Sequence, residues 1–147
     1  MAIATGIPHG GFVPRGRRAE DGRIDSRYQL VELASEDYDA RTERNVVESD
    51  ATLIVSIGPL KGGSLTTQRM ARRHCRACLH VDLARLPTLD ACERIRAWLA
   101  DFDVRTLNVA GPRESTTPGI HAAVCELLRE VFDPEPIPAR PAPRPAE

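Results

Sequence analysis

Apolar positions follow two regimes along this chain. From residue 52 onward, short apolar runs alternate with longer segments whose apolar residues recur every three or four positions. Short runs read as strands, and the longer recurrence reads as helices with one buried face. The pattern predicts strands over 52–57, 78–83 and 104–110 and helices over 64–74, 90–101 and 118–132. A βαβαβα order joins its strands by long crossovers, which makes the sheet parallel and the fold class α/β, with flanking helices. Pro87 and Thr88 punctuate the chain before the 90–101 helix, and Trp98 is expected to pack that helix on the sheet.

Before residue 52 the pattern is weaker. Residues 7–13 and 28–33 are short strand candidates, and the polar stretch 15–27 between them reads as a loop. Ser35 is placed as the N-cap of a helix reaching about residue 48, with Glu36 and Asp37 in the first turn, where the helix dipole favours acids. Its apolar positions, Tyr38, Val46 and Val47, are few, so this helix is mostly solvated or lines a polar cleft. Prolines 134, 136, 138, 141, 143 and 145 leave the tail no means to build a core, and it is expected to be disordered or extended. The chain thus divides into one domain over 1–132 and a Pro-rich tail over 133–147. No internal repeat is evident.

Composition narrows the function classes. Hydrophobic content of 41% supports a core, and 4% aromatic content makes it an aliphatic one. A net charge of −1 gives no overall field for nucleic acid or an acidic membrane. The basic run Arg15-Gly-Arg-Arg18 is followed by Glu20 and Asp21 and has no interleaved aromatics, so it reads as a solvated face. No apolar stretch approaches the roughly 20 residues of a membrane helix, and Met1–Gly6 has no signal-peptide pattern, so a cytoplasmic location is expected. The cysteines are 75, 78, 92 and 125. The cluster His74-Cys75-Arg-Ala-Cys78-Leu-His80 has the spacing of a zinc or redox pair, but no second pair accompanies it, and small buried cysteines are expected instead.

Chemistry concentrates at two strand-to-helix junctions. Gly58-Pro-Leu-Lys-Gly-Gly-Ser64 has the glycine spacing of a P-loop, yet Ser64 stands where the phosphate-binding lysine belongs, and no Gly-x-Gly-x-x-Gly occurs anywhere. What remains is a Gly-Gly turn with Ser64, Thr66 and Thr67 at a helix start, suited to phosphate or an oxyanion such as molybdate. A tight βα turn with Ser64 as a simple N-cap fits the residues equally well. At the second junction, Asn108 lies on the last strand and Arg113, Glu114 and Ser115 lie just past it. Arg113 there suits a bidentate phosphate contact, with Glu114 orienting it or accepting from a ring nitrogen. The bland alternative is an exposed ion pair of little worth. Thr42 and Asn45 share neighbouring faces of the polar helix, and Glu43 beside them is a candidate acid or base, although a helical glutamate is more often a surface charge. His9 and His121 have no Ser or Cys partner in sequence to suggest a triad. Both junctions together predict a crevice for a small anionic ligand.

Several stretches, Gly6-Ile-Pro-His-Gly-Gly-Phe-Val-Pro-Arg-Gly-Arg-Arg-Ala-Glu-Asp-Gly22, Arg41-Thr-Glu-Arg-Asn-Val46, Ser49-Asp-Ala-Thr-Leu-Ile54, Gly58–Gly63 and Leu107-Asn-Val-Ala-Gly-Pro-Arg-Glu-Ser115, resemble the molybdenum cofactor carrier family. The resemblance spans about residues 5–132 and implies a Rossmann-like fold related to the phosphoribohydrolase and lysine-decarboxylase-like nucleotide-binding proteins. It implies a homo-oligomer that binds and protects molybdenum cofactor, with molybdoenzymes as partners. It also implies that Gly62, Gly63, Thr66, Asn108, Gly111, Arg113, Glu114 and Ser115 line the crevice. Lys61 and Ser64 stand where the family usually has threonines; Lys61 adds positive charge near the anion, and Ser64 keeps a hydroxyl, so both join the cofactor-binding set.

A larger departure lies at the front. Family members begin with a strand, a Ser-Gly-Gly-Gln-Thr-Gly-Val-Asp-Arg loop and a helix whose end corresponds to Ala2–Gly6. The expectation is that this chain is truncated at its amino end by roughly 30 residues, the size of a strand-loop-helix unit, and that the absent strand is central, with partners on both sides. Three functions therefore stay open: a non-catalytic carrier of the phosphorylated pterin, a nucleotide hydrolase of the phosphoribohydrolase type, and a truncated non-binding scaffold. Gln68 near the place of the hydrolases' glutamate argues against the second, because an amide is no general acid or base.

Overall fold

β5 (Ala51–Ser56) is buried at all six positions because it is the middle strand of a three-stranded parallel sheet. The computed structural model describes residues 1–132, so the Pro-rich tail expected over 133–147 lies outside the described residues. β5 pairs on one side with β6 (Ala77–Asp82), in register from Ala51 opposite Ala77 to Ser56 opposite Asp82. Its other side pairs with β7 (Leu107–Ala110), from Ala51 opposite Leu107 to Ile54 opposite Ala110. The three strands are contiguous, so no gap adjoins β5.

Alternation along the strands divides the apolar residues between two faces. Leu53, Val55, Leu79 and Val81 pack with Ala91, Cys92 and Ile95 of α4 (Thr88–Asp101) and Leu127, Leu128 and Val131 of α5 (Ile120–Phe132). Trp98 rests against that cluster, as expected. The opposite face carries Thr52, Ile54 and Ser56; α3 (Gly62–Arg73) packs on this side, and α2 (Tyr38–Val47) packs beside α3 and against β1 (Phe12–Val13) of the amino-terminal segment. Burial of Val46 and Ala71, both at 0% exposure, seals this side. The result is helices on both faces of a parallel sheet, as the apolar pattern predicts.

The front of the chain is less regular. A short helix α1 (Ala2–Thr5) precedes β1 (Phe12–Val13), which pairs in parallel with β4 (Val31–Glu32). Both strands are shorter than the sequence suggests. The stretch 15–27 is not a plain loop: β2 (Arg18–Ala19) and β3 (Gly22–Arg23) form a small hairpin. Arg17 holds that segment by donating to the carbonyls of Ile24, Asp25, Tyr28 and Leu30. Its geometry comes from a guanidinium reaching four carbonyls, and no periodicity announces that.

α2 starts later than Ser35. Asp37 is the N-cap and accepts from the Asp39 N–H at 2.9 Å, while Ser35 Oγ, two residues before it, accepts from the Asp37 N–H. Asn45 clamps α2 to β1, accepting from the Phe12 N–H at 2.8 Å and donating to the Phe12 carbonyl at 3.1 Å. Gly11 must be glycine here: its φ is +130°, and a Cβ would stand 3.0 Å from Asn45 Oδ1. β7 begins at Leu107 rather than 104, because Asp50 takes the N–H groups of Arg105 and Thr106 before the strand pairs. Those two bonds hold the Asp50 carboxyl below its ordinary pKa.

Candidate functional site

All three strands of the sheet are parallel, so their carboxyl ends open on one side. The chain leaves β5 for β6 and then crosses back to β7 on the other side of β5. The space beyond the carboxyl ends of β5 and β7 is the switch point where α/β sheets take ligands. A cavity of about 920 Å³ lies there. Its floor is Ser56, Ile57 and Asn108–Arg113, one wall is Pro59–Ser64 with Thr66 and Thr67, and the other is Tyr38, Asp39, Arg41, Thr42 and Asn45 of α2.

Of the residues that sequence picks out, Lys61, Gly62, Gly63, Ser64, Thr66, Asn108, Gly111 and Arg113 are brought together on this wall. α3 begins at Gly62, two residues before the expected Ser64, so Ser64 lies inside the first turn and is not the cap. Lys61 is the N-cap residue and makes no side-chain cap bond. The N–H groups of Gly62, Gly63 and Ser64 are in the first turn, where a helix has no internal acceptors for them. Ser64 is 4% exposed, and its Oγ is buried without a hydrogen-bond partner. Thr66 and Thr67 instead donate back to the Gly62 and Gly63 carbonyls. Asn108 donates to Thr52 Oγ1 at 3.2 Å, which fixes its amide at the end of the crevice. Gly111 approaches β5 so closely that a Cβ would meet the Val55 carbonyl oxygen at 2.7 Å.

Glu114 and Ser115 are not on the cavity wall. The Glu114 carboxylate accepts from the Gly119 N–H at 2.6 Å and the His121 N–H at 3.0 Å, bridging the entry to α5. Those bonds lower its pKa from the ordinary carboxylate value. The Ser115 N–H donates to Glu20 Oε1. Glu43, the candidate acid or base, accepts from Arg73 and from His74 Nε2 away from the cavity. Cys75 is exposed, against the expectation of burial, because it occupies the left-handed turn after α3 at φ 52°. Cys92 is buried and Cys78 half-buried, and burial pushes both thiols up. Among the described residues, no three His, Cys, Asp or Glu side chains cluster as metal ligands, and no helix is long and apolar enough to cross a membrane.

The loop 57–61 is braced from behind. Ser56 Oγ donates to the Gly58 carbonyl at 2.6 Å, so its single proton is committed. His80 Nε2, 2.8 Å from the same oxygen, must therefore donate to it. Asp82 accepts from the Gly58 N–H at 2.7 Å and the Ala84 N–H at 3.0 Å. Burial lowers the His80 pKa, opposed by Asp82 and reinforced by Arg94. These residues position the loop.

Sequence reasoning passes over Arg41 and Tyr38. Arg41 enters the cavity wall half-buried, with Nε buried and unpartnered. Burial lowers its pKa, Tyr38 opposes that shift, and Arg113 adds to it. Its guanidinium lies 5.8 Å from the Tyr38 ring, and that of Arg113 lies 5.6 Å from the same ring. The signal was the helix period: 38, 41, 42 and 45 share one face, so recognising Thr42 and Asn45 as cleft residues brings Arg41 with them.

Comparison with known proteins adds to this geometry. The model of the "Circularly permutated YpsA SLOG family" matches residues 1–132. A solved structure, the "Putative molybdenum carrier protein" of Syntrophus aciditrophicus, is 46% identical and superposes with a TM-score of 0.88. The match covers 89% of this chain and 83% of that one. No curated protein matches the chain.

Proposed function

Because the chain belongs to the circularly permutated YpsA SLOG family and has the Rossmann-like fold seen in the Syntrophus protein, we propose that it is a non-catalytic carrier of molybdenum cofactor. The observation that carries this reading is the orphaned Ser64 hydroxyl at the amino end of α3. A buried hydroxyl without a partner costs about 1–3 kcal/mol, and an anionic oxygen from a ligand relieves that cost. In this reading a phosphate of the pterin lies against the Gly62, Gly63 and Ser64 amides, with Lys61 supplying charge and Thr66 a second hydroxyl. The remainder extends toward Asn108, Gly111 and Arg113. A volume of about 920 Å³ suits a ligand larger than a lone oxyanion. Among the described residues Asp39 is the one carboxylate on the wall, and Glu43 and Glu114 are engaged elsewhere, which favours binding over hydrolysis. Glu114 shapes the α5 entry rather than touching ligand.

The test is calorimetric titration of the chain with molybdenum cofactor, with AMP and molybdate as controls. Tight one-to-one binding of cofactor, with AMP weaker and unhydrolysed, is the expected result. Binding or cleavage of AMP without binding of cofactor would overturn the carrier reading. A homo-oligomer handing cofactor to molybdoenzymes is part of the proposal, and light scattering with and without cofactor checks the assembly.

A further inference from the structure

The α2 side of the cavity carries a charge imbalance that the α3 end does not explain. Arg41 has a buried, unpartnered Nε, and among the described residues no carboxylate lies within ion-pair distance of it. Arg113 reaches over the same Tyr38 ring from the β7 end. Two guanidinium groups held against one aromatic ring repel unless an anion joins them. Asp39 lines the same cavity but pairs with neither arginine.

One carboxylate does approach. Glu20, at the tip of the β2–β3 hairpin, places Oε2 3.8 Å from Arg113 Nε, while its Oε1 accepts the Ser115 N–H at 2.9 Å. That contact spans 95 positions of sequence and ties the hairpin to the loop leading into α5. The Arg113 side therefore already receives an oxyanion, on the guanidinium and amide geometry that carboxylates and phosphates share. Arg41, against the same ring, has none.

We propose that Arg41 and Arg113, bridged by Tyr38, form a second anion subsite, where a carboxylate or phosphate of the ligand replaces Glu20. The ligand then carries two separated anionic groups, one at the α3 end and one here. This rests on the α3 end being an anion site, as argued above. Glu20 is the internal competitor that keeps Arg113 neutralised, and holds the hairpin down, until ligand arrives.

The experiment is a titration of the ¹⁵N-labelled full chain with inorganic phosphate and, separately, acetate. It follows the Gly63 and Ser64 amides for one subsite and the Arg41 and Arg113 Nε–H resonances for the other. Two distinct saturation curves are expected. Glu20→Gln should tighten the arginine curve about two- to fivefold, the worth of one exposed ion pair, and leave the Gly63 curve unchanged. Arg41→Gln should weaken the response at Arg113 and spare Gly63. The tighter of phosphate and acetate identifies the group that the subsite prefers. Movement at Gly63 with none at the arginines refutes the second subsite and leaves the carrier reading intact. Movement at the arginines alone refutes the α3 end and, with it, the two-anion ligand. An arginine curve unmoved by Glu20→Gln refutes the competition.

Discussion

Ser64→Ala should raise the stability of the free protein and lower its affinity for anion, two effects of opposite sign from one atom. The hydroxyl is buried and unpartnered in the first turn of α3. Leaving such a group unsatisfied costs about 1–3 kcal/mol. Alanine removes the group and adds up to about 0.5 kcal/mol of helix propensity. The free variant is therefore expected to gain on the order of 1 kcal/mol in urea unfolding, with an unchanged slope. Binding loses a hydrogen bond to a charged oxygen, about 1.5–3 kcal/mol, so Kd should rise roughly ten- to 150-fold. The two effects meet in one assay. At a ligand concentration of about 100 times the native Kd, ligand adds about 2.7 kcal/mol to the native protein. A tenfold weaker variant at that concentration gains only about 1.4 kcal/mol, so the native advantage appears only with ligand. Unfolding with and without molybdenum cofactor reads this directly. A free variant that loses stability, together with unchanged affinity, would show that the hydroxyl serves the fold and would sink the reasoning.

Gly111→Ala should cost about 1–3 kcal/mol, because the new Cβ meets the Val55 carbonyl at 2.7 Å and must push β7 from β5; binding should fall with it, and chemical denaturation beside a titration checks both. Leu53→Ala, at 0% exposure under α4 and α5, should cost about 2–5 kcal/mol while leaving affinity near native at temperatures where the chain stays folded. Acid should erode stability through Glu114, whose folded pKa is depressed. Its stabilising share is present above the ordinary value of 4.5 and is lost as pH falls from there through the lower folded value. Glu114→Gln should flatten that part of the stability-against-pH curve measured from pH 6 to pH 2, and a variant as acid-sensitive as the parent would contradict it. His80 works at higher pH: its folded pKa is depressed from 6.5, so protonation favours the unfolded chain as pH drops below that value. His80→Gln should remove that loss, seen as a flatter curve just below pH 6.5.

The central fold was legible because its signals are local or one-sided. The β5 run from Ala51 to Ser56 is short and mostly apolar, as expected of a strand covered on both faces, and α4 and α5 show the recurrence of a single buried face. Three parallel strands joined by helices open at the same end, so connectivity alone brought the Gly62–Gly63 and Gly111–Arg113 junctions to one crevice. Composition and turn chemistry also marked Ser64 and Arg113 as residues to place there.

Tertiary structure decided what those residues face. Whether Ser64 capped α3 or stood orphaned inside its first turn depended on where the helix began, and Lys61 rather than Ser64 took the cap position. Ser35 and Asp37 are comparable cappers by type, and the choice of Asp37 is one that residue preferences leave open. Glu114 turned to the Gly119 and His121 amides, Glu43 to Arg73 and His74, and Glu20 reached Arg113 and, across 95 positions, Ser115. The hairpin over 18–23 had no apolar alternation to betray it and is fastened by Arg17 to carbonyls further along the chain. Periodicity reports which face is buried, since burial free energy scales with apolar area and repeats with the element. A hydrogen bond between side chains far apart in sequence depends instead on a few atoms meeting within about 3 Å, and nothing local to either residue encodes that distance.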